Sequence, residues 1–175
     1  MSDDTRVAMR YERVAMLNIG TKNAAGGYDA SGTNAADFHL MGTGFESLDD
    51  SLNPAVDEVT YISDVSATKS ITAYAPEWSF DGSVIKDDDV VTFLRNIGKT
   101  LATGADAEAE VVLYDVWDAS GSVVDAQKYT IAMKIDAIGT GGGGEKLKFS
   151  GALLGKGDPV EGNFNTDTDV FTADV

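Results

Sequence analysis

The stretch that decides the fold is Ala109–Asp136, AEVVLYDVWDASGSVVDAQKYTIAMKID. Its second half alternates cleanly: Tyr129, Ile131, Met133 and Ile135 oppose Lys128, Thr130, Lys134 and Asp136. That two-residue period belongs to a strand with one buried face. In the first half, Val111, Leu113 and Trp117 lie on one face and Val112, Tyr114 and Val116 on the other, so this strand is predicted to be covered on both sides. Asp118-Ala119-Ser120-Gly121-Ser122 between them has turn chemistry. The whole reads as one long β-hairpin.

Outward from this hairpin, strands dominate. On the C-terminal side, Gly139–Gly144 is a glycine loop, and 145–154 is a strand with Leu147 and Phe149 facing in. Short strands follow near Val160–Phe164 and Val170–Thr172. On the N-terminal side, 6–19 is predicted as a long strand whose phase slips near Arg13-Val14. A bulge there, or a strand apolar on both faces beyond it, accounts for the slip. Residues 20–35 form a surface loop, 37–45 a short strand, and 46–54 a segment of turn chemistry. Strand-like runs return at 57–65 and 69–81.

One segment, 86–98, has helical spacing. Asp87, Asp88 and Asp89 occupy its first turn, where carboxylates favour the positive end of the helix dipole. Val90, Val91, Phe93, Leu94 and Ile97 form the apolar stripe, Arg95 and Lys99 lie near its end, and Gly98 is placed to stop it. The expected architecture is mainly antiparallel β with one flanking helix.

Composition narrows the function. The 175 residues fit one domain and carry 29 acids against 13 bases, a net charge of −16. A phosphate-binding surface needs Lys and Arg, so this balance argues against gripping DNA or an anionic membrane. The charges are segregated: 23–68 holds eight acids and no base, and 157–175 five acids and no base. The bases fall in 6–22, 69–99 and 128–156, a pattern that suits head-to-tail contacts between unlike patches. No apolar run approaches the roughly 20 residues of a membrane span, and the acidic N-terminus lacks a signal-peptide pattern, so assembly in a cytoplasm is expected.

Catalytic signatures are thin. There is no cysteine, and the one histidine, His39, sits in a predicted strand as a structural residue. Gly141-Gly142-Gly143-Gly144-Glu145-Lys146 departs from the phosphate-loop order and leads into a strand. The acid groups at 87–89 and 167–169 do not follow the calcium-loop spacing. No catalytic residue, cofactor or metal is expected.

Several motifs in series resemble the major tail proteins that build the tubes of long-tailed bacteriophages, especially phages of Gram-positive hosts. They are Phe38-His39-Leu40-Met41-Gly42-Thr43-Gly44-Phe45, Asn53-Pro54, Thr60-Tyr61-Ile62-Ser63-Asp64, and Ser66-Ala67-Thr68-Lys69-Ser70. Tyr74-Ala75-Pro76-Glu77-Trp78-Ser79-Phe80, Arg95-Asn96-Ile97-Gly98-Lys99, Thr103-Gly104-Ala105-Asp106 and Trp117 continue it. Gly144-Glu145-Lys146-Leu147-Lys148 and Gly157-Asp158-Pro159-Val160-Glu161-Gly162 close the series.

The resemblance implies an antiparallel β-sandwich or half-barrel with a flanking helix, six subunits to a ring, and rings stacked into a hollow tube that DNA passes through unbound. It implies an arm over 43–66 that reaches the next ring, carrying Phe45, Leu48, Asp49, Asp50, Leu52, Asp57 and Glu58. Basic partners for that arm are available at Arg6, Arg10, Arg13, Lys69, Arg95 and Lys99. The further partners implied are a tape measure protein and the terminator and distal tail proteins, with the phage tail as location. Some relatives add a C-terminal immunoglobulin-like domain, and none is expected in a single domain ending at Val175. The alternatives are the inner tube of a contractile tail or tail-like bacteriocin and, from another class, a soluble β-sandwich module that recognises a carbohydrate or protein, with Trp78 or Trp117 fluorescence reporting the ligand.

Overall fold

The computed structural model describes residues 7–174; Arg6, named above as a basic partner, lies outside them. Among the described residues there are ten strands and one α-helix. The strands are β1 (Arg13–Asn18), β2 (Phe38–Leu40), β3 (Phe45–Ser51), β4 (Ala55–Val59), β5 (Thr68–Ala73), β6 (Glu77–Ser83), β7 (Glu108–Ser120), β8 (Val123–Thr140), β9 (Lys148–Asn165) and β10 (Val170–Ala173). The helix α1 (Asp89–Thr100) lies between β6 and β7.

The hairpin read from the sequence is the centre of the molecule. β7 and β8 pair antiparallel, with Val111 opposite Tyr129 and Ser120 opposite Val123, so only Gly121-Ser122 turn the corner. Gly121 takes φ +70°, a conformation open to a residue without Cβ. Asp118 and Ala119, expected in the turn, extend the strand instead. β9 pairs along the other side of β8, and the sheet order is β2-β1-β7-β8-β9-β6-β3, with β10 also on β9.

This sheet rolls into an antiparallel half-barrel. Arg13 of β1 donates from Nε to Asp50 Oδ2 of β3 at 2.8 Å, although four strands separate them in the sheet order. Arg10 closes the same gap by donating to the Leu48 carbonyl from Nε and Nη2 at 3.2 and 2.8 Å. The concave face holds the main core: Leu17, Leu48, Trp78, Phe80, Val111, Leu113, Ile131, Met133, Phe149 and Leu153. A smaller cluster of Met16, Phe38, Val112, Val124, Ala126 and Phe164 lies on the other face, so β7 is covered on both sides as far as Tyr114, while Val116 and Trp117, expected under cover too, are exposed.

The helix covers one mouth of the roll through Val90, Val91 and Leu94. The Asp88 carboxylate accepts from the Val91 N–H at 2.9 Å and caps its start. Gly98, expected as the stop, lies inside the helix because a Cβ there would stand 2.5 Å from Cγ2 of Ile138. The helix ends instead at Leu101, at φ +51°.

Four other expectations are corrected. Residues 7–12 are not strand: Glu12 takes the Met9 N–H on its carboxylate at 2.6 Å, a tight turn forms over Arg10–Glu12, and β1 begins only at Arg13. The slip is the strand's start, and beyond it Ala15–Asn18 are buried on both faces. The expected strand over 69–81 is two, β5 and β6, parted at Tyr74-Ala75-Pro76. β9 runs unbroken from Lys148 through Pro159 to Asn165, absorbing a register shift opposite Lys128–Thr130, and Leu147 precedes it half-exposed.

The fourth correction concerns 43–66, expected as one extended arm. Its first half is β3, paired with β6 in the register Leu48↔Phe80 and Asp50↔Trp78. Ladder bonding to β6 and burial of Leu48 at 7% exposure outweigh the turn propensity of Ser47, Asp49, Asp50 and Ser51. Only from Leu52 onward does the chain leave the sheet.

Candidate assembly surfaces

The departing segment is a two-stranded hairpin. β4 and β5 pair with each other, with Val56 opposite Ile71 and Glu58 opposite Lys69, and neither joins the eight-stranded sheet. Lys69 Nζ lies 3.1 Å from Glu58 Oε2 across the hairpin. Leu52, Val56, Tyr61, Ile71 and Tyr74 are exposed, and Ile62 and Val65 at the tip are fully so. An isolated two-stranded hairpin is marginally stable in water. Contiguous exposed apolar surface of this kind marks a contact site.

The residues named from sequence divide into three sets. Phe45 and Leu48 belong to the core, where Phe45 packs edge-on against Phe149 and Phe80, centroids 5.2 and 5.8 Å apart. Asp50 is held by Arg13, which also reaches Asp115 at 3.2 Å, and Asp49 is exposed on β3. Leu52, Asp57 and Glu58 lie at the base and on the first strand of the hairpin. Arg10 and Arg13 do meet the 48–50 segment, but within one molecule. Arg95 donates to the Ile138 carbonyl at 2.9 Å, Lys69 belongs to the hairpin itself, and Lys99 is exposed at the end of α1.

A second exposed apolar group was not singled out as a contact surface from sequence. The β7–β8 turn carries Val116, Trp117 and Val123 in the open, with Val160 and Val170 exposed on β9 and β10. Val116 and Trp117 alternate like core residues, and the length of β7, 13 residues against a usual 3–10, carries them past the core. Trp78, offered above as a ligand-sensing residue, is buried against Tyr129 at 4.7 Å between centroids.

The polar rim is tied by ion pairs. Glu46 accepts from the Ser83 hydroxyl at 2.6 Å and from Lys148 Nζ at 3.2 Å, which together hold its carboxyl below the usual range. The Lys156 ammonium, 2.6 Å away, does the same for Glu108. Burial, with the Glu110 charge nearby, pushes the Tyr28 hydroxyl up to about 12. His39 lies 3.0 Å from Asp37 and 3.8 Å from Asp89, tying β2 to the start of α1. Among the described residues, no three His, Asp or Glu side chains converge as a metal site would require.

No protein-family model matches the chain, and no curated protein matches it in sequence. A solved structure does match in fold: the tail of an empty GTA particle, determined with helical refinement in C6 symmetry. The two chains are 14% identical and superpose with a TM-score of 0.57, over 95% of this chain and 100% of that one. The shared fold is the antiparallel half-barrel with its single helix.

Proposed function

We propose that this chain is the repeating subunit of a phage-type tail tube, with six copies to a ring and rings stacked through the β4–β5 arm. What carries the reading is an apolar hairpin that projects without partners from a half-barrel matched along almost its whole length by a chain from a C6 tail.

The physical requirements fit. A half-barrel has two edges, here β2 and β3, and a ring of copies covers such edges and so prevents open-ended aggregation. The arm gains its stability from the next ring, which explains why it carries large apolar residues that fold against nothing in its own molecule. The subunit acts structurally, without a catalytic step. DNA passes through the lumen without specific binding, since a subunit of net charge −16 offers little to displace its counterions. A tape measure protein and the end-capping tail proteins are its further partners, and the tail of the particle is its place.

Negative-stain electron microscopy of the concentrated full chain tests this directly. Hollow tubes or six-fold rings are expected. A protein that stays monomeric at all concentrations overturns the proposal.

A further inference from the structure

The central strands give the molecule two ends. β8 runs from Val123 to Thr140, a span of about 55 Å at the rise of an extended chain. One end holds the β7–β8 turn, β10 and the turn before it; the other holds α1 and the glycine loop, since Thr140 pairs with Lys148. The arm leaves β6 at Glu77, which pairs with Leu154 and so stands level with Ala132 at mid-length of β8, away from the helix end where Ser83 pairs with Lys148.

Charge is skewed along the same axis, the helix end mixing signs with Asp87 beside Lys86 and Glu145 beside Lys146. Residues 115–127 and 157–174, at the turn end, contain eight acids and no base. Asp118, Asp125, Asp158, Asp167 and Asp169 among them have no cation partner in the described residues. The helix end carries the exposed Lys86, Lys99 and Lys146; Lys86 and Lys99 pair with no carboxylate among the described residues, and Lys146 acts on Glu46 only at longer range.

Both ends also expose apolar side chains. Trp117 and Val123 stand at the acidic end, and Ile85, Leu147 and Leu101 at the helix end. The last three are linked through neighbouring residues. The Val84 N–H donates to the Leu147 carbonyl at 2.7 Å, Leu147 packs on Gly139, and neighbouring Ile138 meets Gly98 of the final helical turn. Leu101 is the informative one. It holds the left-handed conformation where glycine is the usual residue, at φ +51°, and its side chain is 82% exposed. A bulky residue there costs backbone strain and gains nothing within its own molecule.

Resting on the tube reading, we propose that the helix end of one copy is the docking surface for the acidic turn end of another. Leu101, Ile85 and Leu147 form the apolar centre, and Lys86, Lys99 and Lys146 the charged rim that meets Asp118 and Asp125. The interface is head-to-tail, so it propagates along an axis and gives the tube a direction.

Added salt screens this attraction and the overall repulsion alike, so charge exchange is the cleaner test. The full chain is prepared as wild type, as Lys86→Glu/Lys146→Glu, and as Asp118→Lys/Asp125→Lys, all at exposed positions. Each double variant alone should lose tubes by about tenfold or more, and an equimolar mixture should recover them, because each variant then meets an opposite end. Leu101→Gly should raise the melting temperature and lower tube yield together. Unimpaired tubes from both double variants, or no recovery on mixing, overturn this pairing while leaving the tube itself standing. Absence of rings and tubes from the wild type overturns the underlying reading.

Discussion

At Gly98 an added methyl would stand 2.5 Å from Cγ2 of Ile138 and 2.9 Å from Cγ2 of Ile135, both on stiff β-branched side chains. Alanine gains about 1 kcal/mol of helix propensity over glycine, but overpacking costs about 1–3 kcal/mol, so the clash should win. Gly98→Ala is expected to destabilise the monomer in urea unfolding; an increase in stability would mean that α1 can lift from β8. Leu48→Ala, at a core position of β3, should cost about 2–5 kcal/mol in the same measurement. A loss below 1 kcal/mol would place Leu48 outside the core. Burial keeps the Tyr28 hydroxyl protonated to about 12, above its ordinary 10.0. A folded-state value raised this way favours the fold below pH 10 and withdraws that support as pH rises through 12. Burial raises Tyr114 and Tyr129 as well, so absorbance titration should show a group of late-ionising tyrosines that loses one member in Tyr28→Phe.

At the scale of elements, the arm and β3 separate two roles that adjoin in sequence. Replacing residues 55–73 with a short Gly-Ser linker removes β4 and β5 and leaves the eight-stranded sheet entire. That variant should melt within a few degrees of wild type and form no tubes under the electron microscope. Deleting 46–58 instead removes most of β3, its pairing with β6 and the bond from Arg13 to Asp50, so unfolding is the expected result. A stable monomer from the second deletion would show that β3 is dispensable to the half-barrel. The helix was legible from its stripe and its leading acids; its start moved from 86 to Asp89 because Asp88 caps it and Asp87 precedes it at φ +64°, and its end moved for a second cause. Gly98 looked like a stop, and the packing that demands it there belongs to Ile135 and Ile138, some forty residues on.

For the whole molecule, acid should act through the paired carboxylates at the rim. The pKa of Glu46 is lowered by the Ser83 hydroxyl and Lys148, and that of Glu108 by Lys156. A depressed folded-state value supports the fold above the ordinary carboxylate value of 4.5 and withdraws that support as pH falls below it. The melting temperature should hold steady between pH 7 and 5 and decline below about 4.5. Glu46→Gln should make that decline shallower, and an unchanged slope would count against the pairing. The proposed ring of six copies would carry 6 × −16 = −96 formal charges, and screening beyond about 8–10 Å would leave local pairs to decide how copies meet.

Much of this was written locally in the chain. The alternation over 123–136, the two-sided apolar run at 109–117 and the spacing over 86–98 state their own element types, because burial on a strand or helix imposes a fixed period. The sequence also determined the segregation of charge. What it could not show was where each strand stopped or which segments met. Residues 46–51 have turn composition and became strand because β6 offered a ladder. Alternation at Val7, Met9 and Tyr11 led to no strand, because the Glu12 carboxylate took the backbone N–H that pairing would have used. The basic residues Arg10 and Arg13 turned inward to close the roll, leaving Lys86, Lys99 and Lys146 to face outward. Partner choice of this kind depends on contacts between residues far apart in sequence, and only the folded sheet brings them together.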